Sequence, residues 1–338
     1  MILVTGGTGL VGSHLLFDLV KQDKQVRAII RNKNKINQVK KIFSYYSDDF
    51  ENLIQKIEWV EGDVLDLYSL DQAFADIEKV YHCAAIVSFD GKDKAQIINA
   101  NVQGTENIVN LCLEKNLEKL CHVSSIASLG ASINGNLIDE NSKWSTSKNY
   151  SAYSISKYKS EMEVWRGIQE GLNAVIVNPS VILGPGFWNS GSGSLFTKAA
   201  KGMKYYTSGG TGFIDVSDVS TVMIQLMESE ITGERFVLNA ENLKYKDLFD
   251  LIADEMGVVK PKKEATESLL KIAAIADNVA SKLKIKKREI TKDVVRSSIS
   301  VSKYSNNKIT NEIGIKFIPI KESIRSIAEK YKKEITIS

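Results

Sequence analysis

The sequence predicts an α/β protein built on a doubly wound parallel sheet, with a smaller, mostly helical C-terminal part. Short apolar runs alternate with helical patterns from Met1 to Pro179, and strands that alternate with helices form parallel sheets. A glycine-rich turn follows the first apolar run, in the segment MILVTGGTGLVG at residues 1–12. The chain has 338 residues, which is enough for one large α/β unit and an appendage.

The glycine-rich turn lies between a predicted strand and a predicted helix, which is where a dinucleotide pyrophosphate binds. Two spacings are open, GxxGxxG from Gly6, Gly9 and Gly12, or GxGxxG if Gly7 replaces Gly6. One glycine makes the turn, one lets the backbone approach the phosphates, and one lets the helix pack on the strand. We therefore predict a Rossmann-type cofactor site. Its residues in this turn are Gly6, Thr8, Gly9, Leu10, Val11 and Gly12.

The second predicted strand, Gln25–Ile30, ends at Arg31, where the residue that reads the adenosine ribose is expected. An acidic residue there would accept hydrogen bonds from the ribose of NAD(H), whereas arginine suits the 2′-phosphate of NADP(H). We therefore predict that NADP(H) is favoured, with NAD(H) as the other option. The alternative interpretation is that Arg31 is only a solvated charge at the strand end.

The remaining elements continue the alternation. Further strands are predicted at Ile57–Val60, Lys79–Cys83, Leu120–Ser124, Ala174–Val177 and Arg235–Leu238. Helices are predicted at Asn32–Gln55 (one or two), Leu67–Phe74, Lys94–Leu113, Ala152–Ile168 and Asp218–Met227. A second GGTG, at 209–212, precedes a strand-like FIDV and predicts a turn. The predicted domains are a dinucleotide-binding part, 1–182 with about 213–240, and a substrate-binding part, about 183–212 with 241–338.

Composition argues against several classes of protein. The net charge of +3 is too small to indicate a nucleic-acid partner. Cys83, Cys112 and Cys121 lack CxxC spacing and show no ligand pattern with the histidines. We therefore expect reduced thiols, no metal and a cytoplasmic protein. The chain starts with a strand rather than a signal peptide, and no apolar run reaches about 18 residues, so no membrane span is expected.

The second chemical motif is Tyr153-Ser-Ile-Ser-Lys157. Tyrosine and lysine four residues apart lie on one helix face, and we expect the ammonium to lower the pKa of the phenol. Tyr153 is then the predicted general acid or base, and Lys157 can also donate to the ribose. Ser125 is the predicted donor to the substrate oxygen. Ser124 is the alternative, since strand alternation directs only one of them to the site.

These motifs together resemble the extended short-chain dehydrogenases/reductases of the NAD-dependent epimerase/dehydratase type. The matching segments are TGGTGLVG, GDVLD at 62–66, YHCAA at 81–85, NVQGTENI at 101–108, HVSS at 122–125, YSISK, NPSVILGPG at 178–186, FIDVSDV at 213–219 and the weaker NNKITNEIGIKF. VRAIIRN resembles the dihydroflavonol-reductase-like branch, whose members use NADPH. Ser124-Ser125-Ile126 stands where sugar-nucleotide dehydratases carry Thr-Asp-Glu, and Leu129 replaces a tyrosine common in sugar epimerases. Both departures favour a reductase.

The resemblance also implies further cofactor residues. They are Asp63 and Val64 at the adenine, Ala84 and Ala85 at the ribose and phosphates, Asn101 in support of the central helix, and Pro179 and Ile182 at the nicotinamide. Small residues at the carboxyl end of a strand suit either ligand binding or tight packing. Both interpretations of Ala84 and Ala85 are therefore open.

The substrate is expected between the cofactor and whatever covers the strand ends. Three stretches can reach there, Ile86–Phe89, Gly184–Tyr206 and Leu269–Leu283. The last is apolar on more than one face and is followed by basic residues up to Arg288. It is either a lid over an apolar cleft, which we favour, or a helix on a membrane surface. The candidate substrate residues are Val87, Phe89, Phe187 and Trp188.

The predicted function is that of an NADP(H)-dependent oxidoreductase, which reduces a hydrophobic ketone or aldehyde or oxidises a secondary alcohol. One alternative is a nucleotide-sugar epimerase with tightly bound NAD. Another is a non-catalytic dinucleotide-binding regulator, which would have no need of Ser125, Tyr153 and Lys157.

A homodimer is a further expectation from the resemblance. The helix after Asn101 would pair with the helix that carries Tyr153, in a four-helix bundle. The apolar residues that could form it are Ile108, Leu111 and Leu113 against Met162 and Trp165, unless some of them face the sheet.

Overall fold

A computed structural model describes residues 1–87, 94–132, 135–145, 150–282 and 290–337. Its strands are β1 (Ile2–Thr5), β2 (Val26–Ile30), β3 (Ile57–Glu61), β4 (Lys79–His82), β5 (Lys119–Val123), β6 (Ala174–Pro179), β7 (Val181–Leu183), β8 (Tyr205–Tyr206), β9 (Gly210–Asp215), β10 (Glu234–Leu238), β11 (Glu241–Lys244) and β12 (Lys263–Glu264).

The helices alternate with these strands in the first two thirds of the chain and dominate the last third. They are α1 (Leu10–Lys21), α2 (Ile36–Ser44), α3 (Phe50–Gln55), α4 (Leu67–Ala73), α5 (Lys94–Glu114), α6 (Ala152–Gln169), α7 (Gly193–Ala200), α8 (Val216–Glu228), α9 (Tyr245–Met256), α10 (Glu267–Lys282), α11 (Lys292–Ile299), α12 (Asn307–Ile313) and α13 (Ile320–Ile337).

In the described part of the chain, seven strands form one parallel sheet in the order β10-β6-β5-β4-β1-β2-β3. The strand order reverses between β1 and β4, which is the switch point at which such sheets bind ligands. The predicted doubly wound parallel sheet is therefore confirmed. The region predicted as one or two helices after Arg31 contains a short 3₁₀ turn, α2 and α3.

The side chains of the sheet contribute to two apolar cores, one on each face, because successive residues of a strand point to opposite faces. Leu3 and Leu120 pack against α4, α5 and α6, whereas Val4 and Cys121 pack against α1 and α8. A third core lies in the C-terminal part, where α7, α9 and α13 pack around Phe213.

A small sheet joins the two parts of the molecule. In it β9 pairs parallel with β7 and antiparallel with β11. The predicted domain boundaries at 182/183 and 212/213 fall inside this sheet, and the division into two domains stays a prediction.

The second GGTG does not form the predicted turn, because Gly210 to Gly212 belong to β9. The amides of Gly209 and Gly210 donate to the carbonyls of Ser298 and Ser300. A Cβ on Gly209 would lie 2.5 Å from the Ser298 carbonyl oxygen. These glycines therefore allow a close approach of two backbone segments.

Two of the five apolar residues expected at a dimer interface, Ile108 and Leu111, face inward. Ile108 and Leu111 are buried against the sheet, and Trp165 packs on the same core. On the outer side of these helices, Arg166 of α6 binds Asn110 of α5 and Glu163. Ile108 and Leu111 therefore do not contribute to a dimer interface, while the parts of Leu113, Met162 and Trp165 in it, and the homodimer itself, stay predictions. Among the described residues, no helix is long and apolar enough to cross a membrane.

Candidate functional site

The glycine-rich turn between β1 and α1 requires Gly6, Gly9 and Gly12. Gly6 has a φ of +68°, and a Cβ there would lie 2.6 Å from the amide nitrogen of Ala84. A Cβ on Gly12 would lie 2.3 Å from the Gly6 carbonyl oxygen, which accepts a hydrogen bond from the Gly9 amide. Gly7 meets only the flexible side chain of Leu16 at comparable distance. The geometry thus favours the GxxGxxG spacing.

The N-terminus of α1 opens onto this turn. Its N-cap, Gly9, has no side chain to accept from the amides of the first turn. Those amides and the positive end of the helix dipole suit a pyrophosphate. A Cβ on Gly9 would meet only the Gly6 carbonyl within 4 Å, so the backbone is open to close approach by a ligand. Thr8, Leu10 and Val11 are half-buried around the same opening. The residues present therefore fit a dinucleotide.

Arg31 and Asp63, both predicted for the adenosine end, lie together at the carboxyl ends of β2 and β3. The Arg31 Nη1 is 3.7 Å from the Asp63 Oδ2, and the arginine side chain is 63% exposed. Such an exposed pair stabilises little, so Arg31 is free to take another anion. Val64 lies beside them, where its carbonyl accepts from Asn107 of α5.

A buried hydrogen-bond chain fixes the end of β4. Thr105 donates to the Asn101 carbonyl at 2.8 Å, so the His82 Nε2 at 3.1 Å from the Thr105 hydroxyl must be the protonated nitrogen. His82 Nδ1 then accepts from Thr5 at 2.7 Å, and Thr5 accepts from the Ala84 amide. Motif analysis missed His82 and Thr5, because neither carries a recognisable spacing.

Asn101 holds the next residues of the same segment. Its side chain accepts from the Ile86 amide at 2.7 Å and donates to the Ile86 carbonyl and to Ser156 of α6. Ala84 is half-buried and Ala85 exposed. Asn101 therefore connects α5, α6 and the segment after β4, and its part in the cofactor site stays a prediction.

Tyr153, Lys157 and Ser125 meet at the carboxyl end of β5. Ser151 caps α6 by accepting from the Ser154 amide, and the helix places Tyr153 and Lys157 on one face. The Ser125 hydroxyl hydrogen-bonds the phenol of Tyr153, and it accepts from the Ala127 amide at 3.1 Å.

Ser124 points the other way, as strand alternation requires. Its hydroxyl donates to the Glu161 carboxylate at 2.6 Å. Of the two adjacent serines, only Ser125 therefore reaches Tyr153. The catalytic role of Ser125 stays a prediction.

The ionisation of the pair differs from the expectation. The pKa of Tyr153 is raised, because burial disfavours the phenolate and the Ser125 hydrogen bond offsets this only in part. Burial also lowers the pKa of Lys157 to about 8, although Cys83 and Glu161 oppose the shift. The Lys157 ammonium donates to the Val123 carbonyl at 2.9 Å. The expected lowering of the Tyr153 pKa is therefore wrong for this state of the protein.

Glu161 is the main site residue that motif analysis missed. It is fully buried beside the three predicted catalytic residues and forms an ion pair with Arg235 of β10 at 2.8 Å. One signal was present in the sequence, because Tyr153, Lys157 and Glu161 follow one another at four-residue steps on α6.

The nicotinamide and substrate residues occupy different surroundings. Pro179 ends β6 in a buried position, and Ile182 of β7 is half-buried. Phe187 is half-buried and Val87 is 62% exposed. Phe89 lies outside the described residues.

Trp188 is engaged in the fold. It is buried in the C-terminal core against Tyr331, with ring centroids 4.9 Å apart. Its indole donates to Glu334 at 2.8 Å. We therefore do not include Trp188 in the proposed substrate wall.

Helix α10 turns an apolar stripe outward. Leu269, Ile272, Ile275 and Val279 are 38%, 64%, 66% and 50% exposed. The expected continuation, Leu283 and the basic residues to Arg288, lies outside the described residues. Among the described residues, no group of three or more His, Cys, Asp or Glu could hold a metal.

The central parallel sheet and the glycine-rich turn at its switch point define a Rossmann-type nucleotide-binding enzyme fold. A profile of the NAD dependent epimerase/dehydratase family matches residues 2–238. The chain belongs to this family. Its members are NAD(P)-dependent oxidoreductases, epimerases and dehydratases of the extended short-chain type, so the predicted enzyme class is confirmed.

Relatives and solved structures agree with this assignment. The chain is 30% identical to a Synechocystis protein provisionally named dihydroflavonol 4-reductase, over 95% of this chain and 91% of that protein. It is 28% identical to sterol demethylase protein B of Methylococcus capsulatus, over 81% and 80% of the two chains.

Among solved structures, gox2253 matches with a TM-score of 0.81 and 28% identity, over 99% of this chain and 98% of that one. A UDP-glucose 4-epimerase of Thermotoga maritima with UDP-glucose matches with a TM-score of 0.76 and 18% identity, over 99% of each chain. At that identity the likeness shows the fold alone.

Proposed function

We propose that the protein is an NADP(H)-dependent oxidoreductase that reduces a hydrophobic ketone or aldehyde, or oxidises the corresponding secondary alcohol. The observation that carries the proposal is the hydrogen bond between Ser125 and Tyr153, four residues before a buried Lys157. These groups lie at the carboxyl end of β5. The glycine-rich turn follows the carboxyl end of β1 in the same parallel sheet, so both lie on the same side of it.

The glycine cradle and the open N-terminus of α1 would hold the pyrophosphate, and Asp63, Val64, Ala84 and Ala85 would line the adenosine half. When bound, the nicotinamide supplies or takes the hydride. Arg31 supports a preference for NADP(H), because its exposed guanidinium can form charge-assisted hydrogen bonds to a 2′-phosphate. Asp63 beside it keeps NAD(H) as the other option.

In the reductive direction, Tyr153 donates a proton to the carbonyl oxygen as negative charge develops there. Ser125, whose oxygen accepts from the Ala127 amide, turns its hydroxyl proton from Tyr153 to the substrate's carbonyl oxygen and forms a second hydrogen bond there. The raised pKa of Tyr153 keeps the phenol protonated near neutral pH, which suits a general acid. Lys157, charged below about pH 8, donates to the ribose and stabilises the phenolate left after transfer.

The substrate is proposed to be apolar because uncommitted residues of the three candidate stretches are apolar. Val87 follows β4 and Phe187 follows β7 in the chain, and α10 exposes Ile272 and Ile275. The names of the relatives, a dihydroflavonol reductase and a sterol-modifying protein, favour a bulky apolar compound over a sugar nucleotide.

The test is a titration followed by competition. Purified protein is titrated with NADPH and with NADH, and a series of hydrophobic ketones is then compared with UDP- and GDP-sugars. We expect NADPH oxidation with the ketones, and none in a Tyr153→Phe control. Micromolar binding of a nucleotide sugar with no response to ketones would favour an epimerase and refute the proposal.

A further inference from the structure

Glu161 is a buried carboxylate to which the proposed reaction assigns no role. It lies on α6 one turn beyond Lys157 and is fully buried. Burial raises its pKa, but hydrogen bonds from Ser124 and Ser128 and the charge of Arg235 outweigh this and hold the pKa below its usual range. The carboxylate is therefore ionised at neutral pH, and a buried charge needs partners.

One oxygen of the carboxylate holds the turn that presents Ser125. Ser124 and Ser128 each donate to Oε2 at 2.6 Å, and Asn178 donates at 2.8 Å. Ser124 and Ser128 lie on either side of Ser125 in the chain, and Asn178 also lies 3.2 Å from the Ser125 carbonyl oxygen. Glu161 therefore hydrogen-bonds both ends of the segment Ser124–Ser128, which contains Ser125.

The hydroxyl of Ser125 is not among the groups that bind Glu161, and it faces the proposed active site instead. It bonds Tyr153 and the Ala127 amide. We propose that Glu161 is a positioning residue, which holds the turn from behind so that the Ser125 hydroxyl faces Tyr153. This proposal rests on the proposed function, because that function assigns Ser125 the hydrogen bond to the substrate's carbonyl oxygen.

The other oxygen anchors Glu161 to the edge of the sheet. Arg235 of β10 donates to Oε1 at 2.8 Å and also binds the Glu140 carbonyl, and Trp165 donates at 3.3 Å. Among the described residues, each side chain that hydrogen-bonds the carboxylate is thus a donor. An amide in its place would turn N–H groups toward other donors and leave some of them unpaired.

Glu161 also acts on Lys157 through its charge. Its negative charge raises the pKa of Lys157, against the larger effect of burial. Without this charge, the pKa of Lys157 falls below about 8 and the ammonium is lost at lower pH. Among the described residues, the titratable groups that face Lys157 are His82 of β4, Cys83 directly after β4, His122 of β5, and Glu161 and Tyr153 of α6.

The test uses Glu161→Gln, with Glu163→Gln as the matched control. Glu163 is on the same helix and pairs with Arg166 at the surface. We expect Glu161→Gln to lower kcat by roughly 10- to 100-fold, because small displacements of catalytic groups are costly. We also expect an NADPH Kd within about 2-fold of wild type and an alkaline limb of the pH profile at lower pH. The control should change none of these.

A double-mutant cycle separates positioning from a general structural effect. If Glu161 acts through Ser125, the loss caused by Glu161→Gln shrinks in a Ser125→Ala background. Additive losses, or an unchanged kcat in Glu161→Gln, would overturn the proposal. Should Glu161→Gln fail to fold, Ser128→Ala is used in the same cycle. It removes one donor to Glu161, while Ser124, Asn178 and Arg235 still bind the carboxylate.

The outcome can be told apart from a failure of the proposed function. If the wild-type protein oxidises no NADPH with the carbonyl panel, the proposed function fails. Positioning is then read from crystal structures of wild type and Glu161→Gln. A Ser125 hydroxyl turned away from Tyr153 in the variant supports the proposal, and an unchanged hydrogen bond overturns it.

Discussion

Helices α6 and α10 both reverse the usual pattern of a surface helix, in which apolar residues face inward and polar residues face solvent. Helix α6 turns Tyr153, Lys157 and Glu161 toward the sheet. Helix α10 turns Ile272 and Ile275 toward solvent, more than half exposed. Buried ionisable groups and exposed apolar stripes are both typical of functional surfaces, which is why both helices enter the proposed function.

The two helices differ in how firmly they are held. Helix α6 packs along α5 and against the sheet, and its polar groups bind partners on β5, β6 and β10. Helix α10 packs mainly against α11. The proposed chemistry therefore lies on a helix held by many contacts with α5 and the sheet, while the proposed substrate contacts of α10 lie on exposed side chains. We expect changes on α6 to reduce kcat, and changes on α10 to alter KM.

The largest effect is expected from Tyr153→Phe, which keeps the ring and removes the proton donor. We expect kcat to fall by roughly 10²- to 10⁴-fold with NADPH binding largely intact. Steady-state kinetics and a fluorescence titration with NADPH measure the two quantities. Tyr158→Phe is the matched control, because Tyr158 is on the same helix, stacks on Trp144 and has no part in the proposed proton transfer. Full turnover in Tyr153→Phe would rule out the mechanism.

Arg31→Asp tests the proposed binding of the 2′-phosphate at the end of β2, which is outside both α6 and α10. A charge-assisted hydrogen bond contributes about 1.5–3 kcal/mol, so we expect NADPH to bind roughly 10- to 100-fold more weakly and NADH to change little. Lys33→Asp is the control, because Lys33 faces Glu61 at the neighbouring strand end. A wild-type protein that prefers NADH would contradict this assignment.

The pH dependence tests the buried lysine of α6. Burial lowers the Lys157 pKa to about 8, so the ammonium is present below that pH and is lost as the pH rises through it. We expect reductase activity to decline above about pH 8, roughly tenfold by pH 9. The profile of kcat/KM for the free enzyme measures it. A flat profile up to pH 10 would show that catalysis does not depend on the charge of Lys157.

The smallest effect is expected on α10. A carboxylate that must approach an apolar substrate loses hydration, so Ile275→Glu should raise the KM for hydrophobic ketones by roughly 3- to 10-fold and leave kcat unchanged. Lys271→Gln, on the same helix and paired with Glu267, is the control. An unchanged KM, with loss of binding to anionic lipid vesicles, would favour a membrane-surface role for α10 over a lid.

Several features could be predicted from the sequence because they depend on local periodicity. The alternation of strands and helices predicts the parallel sheet, and the four-residue step from Tyr153 to Lys157 places both on one helix face. The glycine motif was recognisable in the same way. Its two possible spacings, with Gly6 or with Gly7, were not distinguishable from the sequence. The positive φ of Gly6 and its close approach to Ala84 exist only in the folded chain.

The tertiary structure decided the rest, because it depends on which distant residues meet. Glu161 binds Asn178 and Arg235, 17 and 74 residues further along the chain, and these contacts exist only because β6 and β10 are neighbours in the sheet. Strand order likewise determined that Ser124 faces Glu161. Packing placed Trp188 in the C-terminal core. A side chain's partners are set by the order of the strands and the packing of the helices, which a pattern of neighbouring residues does not specify.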